Sequence, residues 1–567
     1  MRACSAFSCL VLLMAIQQLP AASARPSPTT VREWQSRKYG MFIHFGLYSM
    51  LGGVWKGKQY SGNYSEQIQS DAGIPESEYA ALAAQFRPDR WDADAVVRLA
   101  QDAGMQFIVL TAKHHDGFSL FQTQASSFNV VNASPYGKDI VKSLAEACAR
   151  HHMPFGVYYS TIDWRFGDIP DQKNDNPISP EHEEFNVTQL RELMTGYGPL
   201  SEIWFDMGHP TKLQSKRFAE TVHKYQPETM VSGRVWNNEG DFMEMGDDEI
   251  PDYILDELWE SPASIYKETW GYRSWLQRTG LEDKIHEHIQ RLVAVVSRGG
   301  NYILNVGPNG DGSIVDFEAA VLRGTGEWLK RNGEAIYGTQ PQPFRKLDFG
   351  YATVRGSRLF LFVEHVPADR QLKLPGMRNR IQSAYLLGDS QRNPLAFRDE
   401  PAGKLIAAPV TRRFLPVVVV EFDGELDVRQ PAVSPDARGT VTLPAEAADR
   451  FYNANGEGYY DPATLRKERW TFTVNRTGRY RVEVAYKPGK FSRLLDIEVN
   501  GKLIQASLYG NEKSPTAAGV VELTSSKDIV LTVAPAAPSE RGAALDVELA
   551  SISLVPLGAA SLAKQSK

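Results

Sequence analysis

The sequence predicts an α/β protein, a (β/α)8-type barrel followed by two C-terminal β-sandwich domains. Three observations lead there. Between about residue 30 and residue 340, short runs that are apolar on both faces alternate with stretches of helical spacing. After about residue 343 the apolar period changes to two. The chain has 567 residues, more than one core usually serves at about 100 to 200 residues per domain.

The first 24 residues stand apart. Arg2 precedes an apolar run from Ala3 to Ile16, and Ala22-Ser23-Ala24 follows as a small-residue cleavage site. A membrane span needs roughly 20 apolar residues, so residues 1–24 read as a secretory signal and no membrane span is expected. The expected product is exported, periplasmic or extracellular. Cleavage near Ala24 leaves Cys148 as the single cysteine of the chain.

Residues 25–342 hold the expected barrel. Its strand-like runs are Met41–Phe45, Phe107–Thr111, Phe155–Tyr159, Glu202–Phe205, Met230–Ser232, Tyr253–Leu255 and Tyr302–Val306. Between them, Val96, Leu99, Ala100 and Ala103 fall at i, i+3, i+4, i+7, as do Val141, Leu144, Ala145 and Cys148. That spacing makes Cys148 a core residue. Further helical stretches are Val187–Met194, Phe218–Tyr225 and Ile285–Val296. Seven strands are found and the eighth is not placed. The alternative, an open doubly wound sheet, lacks the glycine-rich phosphate loop that usually follows its first strand.

Residues 343–427 form the first expected sandwich, with Leu359, Leu361 and Val363 alternating and Val417–Phe422 as a second apolar run. Residues 428–567 form the second, resembling a carbohydrate-binding module. Tyr480, Val482, Val484 and Tyr486 alternate there, and Asn500-Gly501 predicts a tight hairpin. Tyr452, Tyr459, Tyr460 and Trp470 are either sugar-binding or core aromatics, and the core reading is preferred, since alternation says only that one face is buried.

A barrel concentrates its chemistry where strands end at the C-terminal face. The predicted ends carry His44, then His114 and His115, then Tyr159, Asp206, Arg234, and finally Asp256, Glu257, Trp259 and Glu260. Aromatic faces stack on sugar C–H surfaces, His, Glu and Arg hydrogen-bond hydroxyls, and two carboxylates can flank a glycosidic bond. Lys+Arg of 62 against Asp+Glu of 68 gives no general attraction to nucleic acid. A metal hydrolase built on His44, His114 and His115 is the rival. Neighbours on a strand point to opposite sides, so His114 and His115 reach one ion only if the backbone kinks.

Six segments together resemble the α-L-fucosidases of glycoside hydrolase family 29. They are Lys38-Tyr39-Gly40-Met41-Phe42-Ile43-His44-Phe45-Gly46, Ala112-Lys113-His114-His115-Asp116-Gly117-Phe118, Gly156-Val157-Tyr158-Tyr159-Ser160, Trp204-Phe205-Asp206-Met207-Gly208, Trp270-Gly271-Tyr272 and the run from Ser297 to Pro308. The resemblance implies a retaining hydrolase without a cofactor, acting on a fucosylated glycan. It implies Asp206 as nucleophile and Glu260 as acid/base, with Glu257 the alternative. It also implies His44, Glu66, His114, His115, Tyr159, Trp204 and Arg234 as fucose ligands. Gln67 stands where the family often has Trp beside that Glu. The Trp55-Lys56-Gly57-Lys58 insert and the long C-terminal region resemble the branch restricted to α-1,3/1,4-linked fucose. A fucose-binding protein that lost turnover is the other alternative.

Overall fold

The computed structural model describes residues 25–60, 64–167, 176–251, 254–255, 257–267, 269–429, 432–454, 460–487, 493–508, 515–536 and 549–558. The expected signal, residues 1–24, lies outside them.

Eight parallel strands form the first unit: β1 (Tyr39–Ile43), β2 (Ile108–Lys113), β3 (Phe155–Ser160), β4 (Glu202–Asp206), β5 (Met230–Val231), β6 (Met243–Glu244), β7 (Trp259–Ser264) and β8 (Asn301–Val306). Each pairs with the next in sequence, and β8 pairs with β1. A parallel bridge between Ser232 and Phe242 joins β5 to β6 and closes the ring. The barrel is therefore complete, with its weakest seam where two two-residue strands meet.

Helices pack outside the ring for the reason the spacing gives. In Ala93–Asp102, Val96, Val97, Leu99 and Ala100 are buried and Asp92 caps the N-terminus. In Ile140–Arg150 the buried stripe includes Cys148, whose thiol burial pushes up to about 12. It is an inert core residue. Between β5 and β6 and between β6 and β7 the described residues hold no α-helix.

The barrel interior is filled in layers. Along β4, residues two apart face inward, so Glu202, Trp204 and Asp206 mark its base, middle and mouth. An apolar cluster of Phe42, Phe107, Val109, Tyr158, Trp204, Met230, Phe242 and Ile303 occupies the centre. Trp34, from the helix Pro28–Arg37, joins that cluster and donates its indole N–H to Glu202 at 2.6 Å. A Cβ on Gly40 would lie 2.3 Å from the Phe107 ring, so only glycine admits that ring.

One expected strand is not found. Ile254 and Leu255 are irregular, Tyr253 lies outside the described residues, and the sixth and seventh strands are Met243–Glu244 and Trp259–Ser264. Trp259 and Glu260 thus begin a strand rather than follow one.

Beyond the barrel, four-stranded and three-stranded antiparallel sheets enclose a core of Leu359, Leu361, Leu372, Ile406, Val418 and Val420. Four-stranded and five-stranded sheets enclose another core containing Val482, Val484, Leu495, Ile497 and Leu531. The Asn500-Gly501 hairpin forms, with both residues at positive φ. Trp470 is buried and donates to the Pro444 carbonyl, as a core residue does. Residues 455–459 lie outside the described residues, and so do the Tyr452 and Tyr460 side chains.

Candidate active site

At the C-terminal mouth of the barrel is a cavity of about 250 Å³ lined by Phe42, His44, Tyr64, Glu66, Gln67, His114, His115, Tyr158, Trp204, Asp206, Met207, Arg234, Asp247 and Trp270. Pockets for drug-sized ligands run from about 300 Å³ upward, so this one suits a single small ring.

Asp206 ends β4 at the centre of the site. Its Oδ2 accepts from the Tyr158 hydroxyl at 2.7 Å and its Oδ1 from Arg234 Nη1 at 3.0 Å. His115 Nε2 lies 3.9 Å from Oδ2. Burial pushes this carboxyl up, but Arg234, His115 and the Tyr158 hydroxyl overcome burial and hold it below the ordinary carboxylate range. An ionised carboxylate therefore sits in a largely buried position, its side chain 15% exposed. The next residue, Met207, has φ 61° without being glycine, a strained turn of the kind that gathers at functional sites.

Arg234 comes from the single 3-10 turn after β5. Its guanidinium lies 4.9 Å from the Trp204 ring centre and also donates Nη2 to Asp247 Oδ1 at 3.0 Å. One cation thus bridges two carboxylates and is held flat by an indole.

The three histidines converge. His44 Nδ1 meets Asn305 Oδ1 and His115 Nδ1 meets Ser160 Oγ, each at 2.8 Å. His114 and His115 both reach the cavity because the β2–β3 pairing skips a residue between Thr111 and Lys113, the kink such neighbours require. Burial lowers all three, His44 to about 3 and His115 to about 4. Neutral imidazoles can donate and accept, which suits hydroxyl groups.

Glu66 is 1% exposed and its Oε2 accepts from the backbone N–H groups of Trp270 and Gly271. Burial pushes it up to about 7 against those two bonds. His114 Nδ1 and Gln67 Oε1 are buried polar atoms with no hydrogen-bond partner.

Three expectations need correction. Tyr159 does not face the cavity: its hydroxyl is 2.8 Å from Asn186 Oδ1 and from Gln189 Oε1, on the outer side of β3. Tyr158, one residue earlier, takes the inward place. Glu260 lies at the base of the barrel, fully buried, accepting from Trp204 Nε1 at 3.0 Å on the side of that indole away from Asp206. Glu257 precedes the same strand and also belongs to the N-terminal end; it does not line the cavity. Phe42, Tyr64, Tyr158, Met207, Asp247 and Trp270 are lining residues that the sequence did not single out as site residues. Trp270 and Tyr158 stood inside quoted segments, and Asp247 follows a strand too short to show a period.

A family model described as Alpha-L-fucosidase matches residues 17–334, more than half of the chain. The chain belongs to the alpha-L-fucosidase family. It is a glycoside hydrolase of family 29 with the barrel fold of that family. Tissue alpha-L-fucosidase of Macaca fascicularis is 31% identical over 69% of this chain and 86% of that protein. The alpha-L-fucosidase from Vibrio sp. strain EJY3 superposes with a TM-score of 0.68 and 26% identity, over 94% of this chain and 99% of that one. The family 29 fucosidase from Bacteroides thetaiotaomicron, trapped as a covalent intermediate with 2-fluoro-fucosyl fluoride, aligns with TM-score 0.63 and 27% identity over 72% and 98% of the two chains. As in those structures, a C-terminal sandwich follows the barrel.

Proposed function

We propose that this chain is an exported, retaining exo-α-L-fucosidase that removes terminal α-L-fucose from glycans, in α-1,3 or α-1,4 linkage. The observation that supports it most is Asp206: an ionised carboxylate at the floor of a pocket sized for one sugar. Its carboxylate attacks the anomeric carbon, the bond to the leaving oxygen breaks, and a covalent fucosyl-enzyme forms, which water then hydrolyses. Tyr158 and Arg234 keep the nucleophile deprotonated and aimed. The neutral histidines, Glu66 and Gln67 offer donors and acceptors to ring hydroxyls, while Phe42, Trp204 and Trp270 offer apolar surface to the C–H face and methyl group. The linkage preference rests on the resemblance of the Trp55-Lys56-Gly57-Lys58 insert, which forms the ribbon Val54–Trp55/Lys58–Gln59, and export on residues 1–24.

The test is hydrolysis of an aryl α-L-fucoside and of a Lewis-type trisaccharide, each with and without chelator. Release of α-fucose as the first-formed anomer, from both and unaffected by chelator, is expected. Release from the aryl fucoside alone overturns the linkage assignment. Loss of activity in chelator overturns the cofactor-free reading, and no release from either substrate overturns the enzyme reading.

A further inference from the structure

His44 and Glu66 both line the cavity, and a residue behind the wall joins them. Asn305 lies near the end of β8, is 3% exposed and does not line the cavity. Its Oδ1 is 2.8 Å from His44 Nδ1, and its Nδ2 donates to the Trp270 carbonyl at 2.7 Å. That carbonyl and the Gly271 N–H belong to one peptide group. The Gly271 N–H in turn donates to Glu66 Oε2 at 2.7 Å. One side-chain amide and one peptide group thus run in series from His44 to Glu66.

Chemistry fixes the direction of every bond in this chain. A backbone carbonyl only accepts and a backbone N–H only donates. The Asn305 amide must therefore turn its NH2 group to Trp270, since the flipped amide would set two carbonyl oxygens 2.7 Å apart. That leaves Oδ1 facing His44, so His44 Nδ1 carries the proton. Burial lowers His44 to about 3, so the ring is neutral and holds one proton only. Nε2, with no hydrogen-bond partner among the described residues, is the nitrogen left for a ligand, and it is a bare lone pair. Bonds aligned head to tail reinforce one another, which makes Nε2 a better acceptor. His115 is not fixed in this way, because its Nδ1 meets the Ser160 hydroxyl, a group that can donate or accept.

We propose that Asn305 is a positioning residue that fixes His44 as a hydrogen-bond acceptor, so that the cavity takes at His44 only a ring substituent able to donate; this rests on the reading of the cavity as a fucose pocket. A sugar hydroxyl meets that demand. Fluorine is close to a hydroxyl in size but has no proton to donate, and it sets its own lone pairs against Nε2. Specificity is thus set by a residue the sugar does not touch. Asn305 acts through His44, and through the Trp270-Gly271 peptide it ties that contact to Glu66.

The experiment has two arms, both on the full chain. In the first, histidine ring nitrogens are isotope-labelled and read by nitrogen NMR without sugar, with His44→Gln assigning the His44 signals. The wild type should show a protonated Nδ1 and an unprotonated Nε2, and in Asn305→Leu the two nitrogens should average. A protonated Nε2 or a tautomer mixture in the wild type overturns the assignment, whether or not the variant folds. In the second arm, calorimetry follows binding of L-fucose and of analogues with one ring hydroxyl at a time replaced by fluorine. At one ring position fluorine should weaken wild-type binding about 5- to 150-fold, the effect of leaving a buried acceptor unpaired. Asn305→Leu should weaken binding of L-fucose itself about 2- to 10-fold and shrink the fluorine effect at that position. No fluorine effect at any position in the wild type, or one unchanged in Asn305→Leu, overturns the proposal, because a merely structural loss lowers all the sugars in parallel. If the wild type binds no L-fucose, the fucose-pocket reading fails instead while the His44 tautomer is still read, so the two failures are distinct.

Discussion

The two ends of one strand carry buried carboxylates with opposite fates. At the mouth, Asp206 is held below the ordinary range, because Arg234, His115 and Tyr158 outweigh its burial. At the base, Glu202 is pushed up to about 7 and, on neighbouring strands, Glu244 to about 8, while Glu260 is raised well above its usual value. Burial is the largest cause in each of the three base residues. For Glu260 the nearby Glu202 adds to it, and the Trp204 indole bond opposes it only in part. The sheet, depth and residue type are similar. What differs is a direct ion pair: Arg234 donates to Asp206, whereas at Glu202 and Glu244 the charges of Arg37 and Arg234 oppose burial without overcoming it. A charge in the barrel interior survives as an ion only where a partner and hydrogen bonds replace water, and otherwise keeps its proton. The mouth is built for chemistry and the base for closure.

The largest effect should come from removing the ion at the mouth. Asp206→Asn is expected to lower kcat by about 10⁴- to 10⁶-fold, the range seen when a nucleophilic unit is broken. Fucose binding, followed calorimetrically, should survive. Next comes the partner cation. Arg234→Met lets burial act on Asp206 unopposed by its main cation, so the acid limb of kcat/KM should move to higher pH; an unchanged limb would break the comparison. Third is a pair of neighbours. Tyr158→Phe removes a hydrogen bond to the nucleophile and should cost about 1.5–3 kcal/mol of transition-state stabilisation. Tyr159→Phe should leave kcat within a few-fold and reduce stability, since Asn186 and Gln189 lose a partner. Equal kinetic effects at the two positions would contradict the assigned strand faces.

The smallest kinetic effects belong to the base. Glu260→Gln keeps an acceptor for the Trp204 indole, and turnover is expected to stay within about tenfold, the scale of a single neutral hydrogen bond. A thousandfold loss restored by azide would return the acid/base role to Glu260. The base should show itself in stability. A carboxyl raised in the folded state stays protonated after the unfolded chain has ionised, so it stabilises fully below the unfolded value, near 4.5 for Glu244. That stability is lost as pH rises to the folded value of about 8. Each unit is worth about 1.4 kcal/mol at most. Glu244→Gln should flatten the fall in melting temperature between about pH 4.5 and pH 8, read from thermal unfolding across that window.

Much of the site was legible because strand ends in a barrel share one face. His44, His114, His115, Trp204, Asp206, Arg234 and Glu66 all line the cavity. The misses have physical reasons. All six residues of β3 are buried, so the period-two pattern that would tell Tyr158 from Tyr159 is missing, and a one-residue slip exchanges faces. β6 spans two residues and offers no period at all. Without it, the stretch before Trp259 took the place of the sixth strand, and Glu260 was read at the wrong end of its own.

The sequence by itself determined the alternation that makes a barrel, the change of period that makes the sandwiches, the family, and the carboxylate that ends β4. These depend on local pattern and on residues that remain adjacent in the chain. Only the tertiary structure decided which neighbour faces inward, which end of a strand a glutamate occupies, and that Arg234 joins Asp206 to Asp247. Those follow from strand register and from side chains 28 and 13 positions apart meeting on one guanidinium, which no spacing along the chain records.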